Sequence, residues 1–306
     1  MKHVLIAAMT AAALLLAGCG DQKDDPATPA SSSAATGFPV TVGTLTLDAR
    51  PEKIVSLSPT ATEMLFAIGA GSQVTAVDDQ SDFPAEAPRT DLSGFKPSAE
   101  AIAAKDPDLV VLSGDADQIV AQLGKLKIPT LVSPAAATLD DTYREISDLG
   151  SLTGHVAEAT KVNDGMKAEI DQIVKTVPAR TKPLTYYYEL GPELYTATSK
   201  TFIGGVFNLF GMTNVADSAD ADGSKGGYPQ LSAEALVKAN PDTVFLADTQ
   251  CCQQSAATVG ARAGWSTITA VRKAQIYPLS DDIASRWGPR AVDLVKSVAD
   301  AVSKVS

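Results

Sequence analysis

Two stretches of this chain repeat one another, and the repetition limits the fold more than any other feature. SAEAIAAKDPDLVVLSG begins at Ser98 and SAEALVKANPDTVFLAD begins at Ser232. The interval from Glu100 to Glu234 equals that from Pro107 to Pro241. Each copy reads as a Ser-capped helix, an Asp-Pro or Asn-Pro break, and a short buried strand. A weaker echo joins SLSPTATEMLFAIGAGSQV, from Ser56, to TATSKTFIGGVFNLFGMTNV, from Thr196. Self-similarity at this distance points to two lobes built on one plan.

The intervening sequence agrees with that plan. Strands are predicted at Lys53–Leu57, Val74–Val77, Leu109–Leu112 and Thr130–Val132, with helices near Ala61–Ile68, Ser98–Lys105 and Asp117–Lys125. The second lobe is predicted to place strands at Leu184–Tyr188, Thr243–Leu246 and Gln275–Leu279, and helices near Phe202–Phe210, Ser232–Ala239 and Gly288–Lys304. Strand alternating with helix gives a mostly parallel sheet flanked by helices. Between the lobes, Ala159, Val162, Met166, Ile170, Ile173 and Val177 recur at spacings of three and four. They predict one amphipathic helix over Thr153–Val177, capped by Thr153, ended by Pro178 and roughly 35 Å long. The fold class is therefore α/β: two Rossmann-like lobes joined by a long bridging helix, with a cleft between them where a small ligand binds.

The ends and the charge set the compartment and exclude some partners. Val4 to Ala17 is an apolar run too short for a membrane span, and it closes on Leu16-Ala17-Gly18-Cys19. It reads as a lipoprotein signal peptide, with Cys19 the lipidated residue. The low-complexity stretch after it reads as a flexible tether. The expected organisation is signal peptide 1–18, tether 19–37, first lobe 38–140, helical linker 141–180 and second lobe 181–306. A net charge of −11 argues against nucleic acid as a partner. With Cys19 assigned to lipid, Cys251 and Cys252 remain, as either a strained vicinal disulfide or two free thiols.

The body from about Arg50 onward resembles the helix-linked solute-binding proteins of ABC importers for vitamin B12, ferric siderophores and haem. The residues that carry the likeness are RPEKIVSLSPTATEMLFAIGAG, VDDQSDFP, GFKPSAEAIAAKDPDLVV and GGYPQLSAEALVKANPDTVFL. Among these groups the vitamin B12-binding proteins are the most similar. The resemblance implies an exported, lipid-anchored protein that delivers a corrinoid, ferric siderophore or haem to a permease dimer with its ATPase subunits. It implies that Glu100 and Glu234 dock on arginines of the two permease subunits. It also implies a ligand site drawn from Phe95, Tyr188, Tyr228, Arg286, Trp287, Cys251 and Cys252. Gln80 stands where the B12 binders carry an aromatic, and Tyr228 where a Trp is usual. Each aromatic could equally be core, and Arg286 could instead pair with Asp281 or Asp282.

Other function classes find little support. His3 and His155 are the only histidines, the first in the signal peptide and the second at the start of the predicted bridging helix, where it reads as a surface residue. A Ser–His–acid hydrolase needs a positioned histidine, which neither supplies, a zinc or manganese site needs several, and no phosphate loop is present. No resident cofactor or protein-held metal is expected, so a metal would arrive inside an organic chelate. A structural or adhesive lipoprotein would have no need for duplicated docking glutamates.

Overall fold

The computed structural model describes residues 37–305. The predicted signal peptide, Cys19, the tether through residue 36, and Ser306 lie outside them.

A hairpin of β1 (Val40–Val42) and β2 (Leu45–Leu47), unanticipated from the sequence, comes first. The first lobe then runs β3 (Ile54–Leu57), α1 (Pro59–Ala67), β4 (Val74–Val77), α2 (Ala99–Ala103), β5 (Leu109–Leu112), α3 (Ile119–Lys125) and β6 (Thr130–Val132). Two long helices follow, α4 (Leu139–Thr153) and α5 (Val156–Thr176). The second lobe runs β7 (Thr185–Glu189), α6 (Phe202–Asn208), β8 (Thr213–Asn214), α7 (Ala233–Ala239), β9 (Thr243–Leu246), α8 (Ala256–Gly260), α9 (Thr269–Arg272) and β10 (Ile276–Pro278). It closes with α10 (Asp281–Ala284) and α11 (Ala291–Lys304).

Both four-stranded sheets are parallel and share one topology, β4-β3-β5-β6 and β8-β7-β9-β10. Every residue of β3, β5 and β9 is buried, as helices on both faces of a parallel sheet require. The repeated segments do the same work in each lobe. Ser98 and Ser232 cap α2 and α7, each accepting an N–H from the residue three further on. Asp106 and Asn240 take the left-handed conformation, φ 51° and 49°, that short polar side chains tolerate. Asp108 and Asp242 then reach to the start of the neighbouring central strand. Asp108 Oδ2 accepts from the N–H groups of Glu52 and Lys53 at 2.9 and 3.0 Å, and Asp242 Oδ2 accepts from that of Thr185 at 3.0 Å. One duplicated carboxylate therefore pins the central strand in both sheets.

The helix expected over 153–177 is α5, which begins at Val156 and ends at Thr176. α4 stops at Gly154, which takes φ 76°, and a new helix begins at Val156. Thr153 is the last residue of α4, not a cap: its hydroxyl donates back to the Leu149 carbonyl at 2.7 Å. His155 is not a free surface residue, because its Nε2 meets Arg50 Nη2 at 2.9 Å and Gln73 Oε1 at 3.0 Å. One continuous apolar cluster joins the inner faces of both sheets through α1, α4, α5, α6 and α11. Separate clusters cover the outer faces. Among the described residues no helix is long and apolar enough to cross a membrane.

At the carboxyl ends of β7 and β9 two acidic side chains are sealed from water, Glu189 and Asp248. Arg262 grips Glu189 with two bonds of 2.6 Å and lies over the Trp265 ring. Both Asp248 carboxyl oxygens lack a hydrogen-bond partner. Burial, and then the negative Glu189, push the Asp248 carboxyl up to about 7. An unfolded aspartate titrates near ~3.9, so the folded state holds this proton more tightly. The stability it contributes is complete below that value and is lost as pH rises through about 7. Unfolding free energy should fall by about 2–3 kcal/mol from this group between pH ~5 and ~8, at about 1.4 kcal/mol per pK unit. Asp248→Asn should flatten the pH profile by that amount, as urea melts at a series of pH values would show. An unchanged slope would mean that Asp248 is ionised throughout.

Candidate functional site

In sheets of this topology the crevice opens where neighbouring strands lead to opposite sides, at their carboxyl ends. In the second lobe that point lies between β7 and β9. Leu190 and Ala247, the residues that leave these strands, line a cavity of about 220 Å³. Ala135 and Ala136, beyond β6, bring the first lobe to it, and Phe202, Tyr228, Asp281, Arg286 and Trp287 complete the wall. A second hollow of about 390 Å³ adjoins it, sharing Ala135, Ala136, Phe202 and Tyr228. A larger hollow of about 420 Å³ lies at the end of α5, beside Val177, Phe210 and Val302. Its one cationic side chain, Arg180, is occupied by the carbonyls of Val302 and Val305.

Local structure holds each wall residue in place. Thr201 caps α6 by accepting the Gly204 N–H, which sets Phe202 at the first helical position. A Cβ on Gly204 would sit 2.2 Å from the Thr198 carbonyl, so only glycine permits that turn. Buried Asp220 accepts the N–H groups of Lys225 and Gly227, both at 2.7 Å, and so shapes the loop that delivers Tyr228. Trp287 donates its Nε1–H to Glu145 at 3.2 Å, and its carbonyl accepts the Thr142 hydroxyl at 2.7 Å. Both partners are on α4, so the tryptophan ring is fixed from the far side of the cleft.

Beside the cavity a charged cluster crosses between the lobes. Glu63, on α1, is nearly inaccessible and accepts two bonds from Arg290, at 2.9 and 2.5 Å. Arg290 also reaches Asp282 at 2.5 Å and lies over the Phe83 ring. Arg286 binds Asp282 and extends to the Gln80 carbonyl at 3.3 Å and Asp82 at 3.4 Å. Its Nη1 is buried without a partner. Burial pushes the Glu63 carboxyl up, more than the hydrogen bond and charge of Arg290 hold it down.

The structure gathers some of the residues singled out in the sequence and separates others. Trp287, Tyr228 and Arg286 converge on the cavity. Of the two ion-pair alternatives for Arg286, Asp282 is the one observed; Asp281 is turned instead toward the backbone of residues 249–251. Tyr188 is corrected from ligand contact to core. It is fully buried, packs edge-on against Phe207, and donates its hydroxyl hydrogen to the Ala284 carbonyl at 3.2 Å. Phe95 is 79 % exposed and does not line the cavity. Cys251 and Cys252 are free thiols just outside the wall, one turn removed through Asp281. Glu100 and Glu234 are exposed at equivalent helix starts, and neither makes an ion pair among the described residues. Among those residues no group of three or more His, Cys, Asp or Glu could hold a metal ion.

The sequence reading missed Glu63, Glu145, Glu189 and Arg290. The signal for Glu63 and Glu189 was a charge inside a run with no other charge, TATEMLFA and TYYYEL, which demands a buried partner; Glu145 and Arg290 sit among other charges and gave none. Arg290→Met should cost about 3 kcal/mol of stability by leaving Glu63 only the more distant Arg286, at 3.6 Å, and Glu63→Gln in the same chain should recover most of it. Denaturant melts of the single and double variants check this; equal losses in both would mean the two residues are not coupled.

Comparisons with known proteins agree with this architecture. The family model described as periplasmic binding protein matches residues 54–283. The chain is 30 % identical to a Bacillus subtilis protein named as an uncharacterized ABC transporter substrate-binding lipoprotein, YvrC, over 97 % of this chain and 95 % of the relative. It is 30 % identical to the cobalamin-binding protein of Halobacterium salinarum, over 90 % of this chain and 77 % of that one. It superimposes on the vitamin B12 binding protein BtuF of Vibrio cholerae with a TM-score of 0.67 and 26 % identity, covering 82 % of this chain and 96 % of that one. The chain therefore belongs to the periplasmic binding protein family and is a solute-binding protein rather than an enzyme.

Proposed function

We propose that this chain is the substrate-binding lipoprotein of an ABC importer, and that its solute is a corrinoid held between the lobes. The observation that carries the reading is the inter-lobe cavity, with Trp287 and Tyr228 on its wall beside the unpartnered Arg286 Nη1. An aromatic face suits a large planar ring, and a guanidinium donor suits the amide, carboxylate or phosphate groups at its edge. The adjoining hollows leave room for a ligand that fills the mouth of the cleft as well as its floor. Phe95, exposed on the first lobe, is available to the outer part of such a ligand.

Delivery follows from the duplicated helices. Glu100 and Glu234 occupy the same position on α2 and α7, one per lobe, so a permease dimer presenting the same arginine pocket twice would meet both at once. Lipid on Cys19 would hold the protein at the outer face of the cytoplasmic membrane or in the periplasm. Homologues with cobalamin or vitamin B12 in their names favour a corrinoid over a ferric siderophore or haem.

Calorimetric titration with cyanocobalamin and cobinamide should show one-to-one binding. Trp287→Ala should weaken it about tenfold, the scale of one stacked aromatic. No binding of either corrinoid would redirect the ligand class to ferric siderophores and haem. Glu100→Ala with Glu234→Ala should abolish uptake by cells while leaving affinity unchanged. Normal uptake by that variant would refute docking through these carboxylates.

A further inference from the structure

The turn that carries Cys251 and Cys252 is joined to the cavity by a single side chain. Asp281, on the cavity wall, accepts four bonds from this turn: the Thr249 N–H and hydroxyl at 2.8 and 2.7 Å, and the N–H groups of Gln250 and Cys251, both at 2.9 Å. Burial would push its carboxyl up, but these bonds outweigh it and hold the group below the usual range. On its other side the turn is tied to the buried acids of the second sheet. The Cys252 carbonyl accepts from Gln254 at 3.0 Å, and Gln254 accepts from Arg262, the partner of Glu189, at 2.7 Å. Cys251 is exposed, Cys252 is partly so, and Gln253 after them takes φ 54°.

We propose that Cys251 and Cys252 are a thiol–disulfide modification site, oxidised by a disulfide-bearing thiol oxidant, and that oxidation acts on the cleft through Asp281. Two adjacent thiols, one open to solvent, need only local torsion changes to meet. Closing the ring between neighbours resets the backbone torsions about both residues. The Cys251 N–H, now fixed on Asp281 Oδ2, is the bond most directly disturbed, and Asp281 opens the short helix that leads to Arg286 and Trp287.

The chemistry is ordinary exchange. The Cys252 thiolate attacks one sulfur of the external disulfide, whose second sulfur leaves as a thiolate. Cys251 then gives up its proton and displaces the first sulfur, forming the Cys251–Cys252 bond. Two protein thiols are oxidised, one external disulfide is reduced to two thiols, and the protein protons pass to the departing thiolates. The hydrogen bond with Cys252, and then burial, push the Cys251 thiol up; that bond is lost once Cys252 is in the mixed disulfide, which frees Cys251 to close the ring. The proposal rests on export of the chain but not on which solute fills the cleft.

The full chain would be equilibrated with mixtures of reduced and oxidised glutathione, its free thiols alkylated, and the peptide holding residues 251 and 252 weighed. That peptide should pass from two alkyl groups to none, with the loss of two hydrogens and a single midpoint. Tryptophan emission should change with the same midpoint, and Cys251→Ser with Cys252→Ser should abolish the change. The chain has two tryptophans, Trp265 near Arg262 and Trp287 on the cavity wall. Trp287→Phe should therefore remove most of the emission change. Full alkylation at every ratio, or a lasting glutathione adduct in place of the ring, would overturn the modification site. An emission change that survives Trp287→Phe intact, or none at all, would overturn the coupling to the cleft.

Discussion

Glu63 carries a carboxylate into a place that water hardly reaches, and the guanidinium that meets it comes from the other lobe. An unpaired charge in that position would cost several kcal/mol. Arg290 must therefore stay where it is, and with it the start of α11 and the segment that carries Arg286 and Trp287. The hydrogen bonds from Trp287 to α4 repeat the same logic with neutral groups. The spacing of the two lobes is thus set by polar partners that cannot be separated cheaply. The cavity is the space left between them.

Beneath this contact lie two sheets of one design. The repeated Asp that anchors each central strand and the repeated left-handed Asp or Asn before Pro explain why the duplicated segment kept its pattern: each residue meets a backbone need that is identical in the two lobes. The sites are nonetheless unequal. Most of the cavity wall comes from the second lobe, and the first contributes mainly Ala135 and Ala136. Duplication supplied two equivalent exposed glutamates, while the side chains at the strand ends of the second lobe built the cavity wall. A shared apolar cluster through α4, α5 and α11 makes the two lobes one packed body.

Much of the scaffold was legible because its signals are local. The buried strands are runs of apolar residues, the caps are serines at fixed offsets, and the repeat shows itself by comparison of the chain with itself. The apolar spacing that begins at Ala159 gave the helix after Gly154 but not its first residue, because Gly154 in the left-handed conformation ends α4 and delays the new helix to Val156. Tyr188 was misjudged for a physical reason: on a strand buried on both faces, residues of either parity are core, and the hydroxyl was satisfied by a carbonyl distant in sequence.

By itself the sequence determined the α/β class, the two-lobe plan, the one long helix after Gly154 and the paired glutamates, all of which follow from periodicity and repetition along the chain. Only the tertiary structure decided which charges meet. Glu63 with Arg290, Glu189 with Arg262 and Asp281 with the cysteine turn are partners brought together by folding rather than by spacing. A hydrogen bond is lost within about an ångström of stretch and Coulomb attraction weakens with separation, so both depend on distances in space that no one-dimensional pattern records.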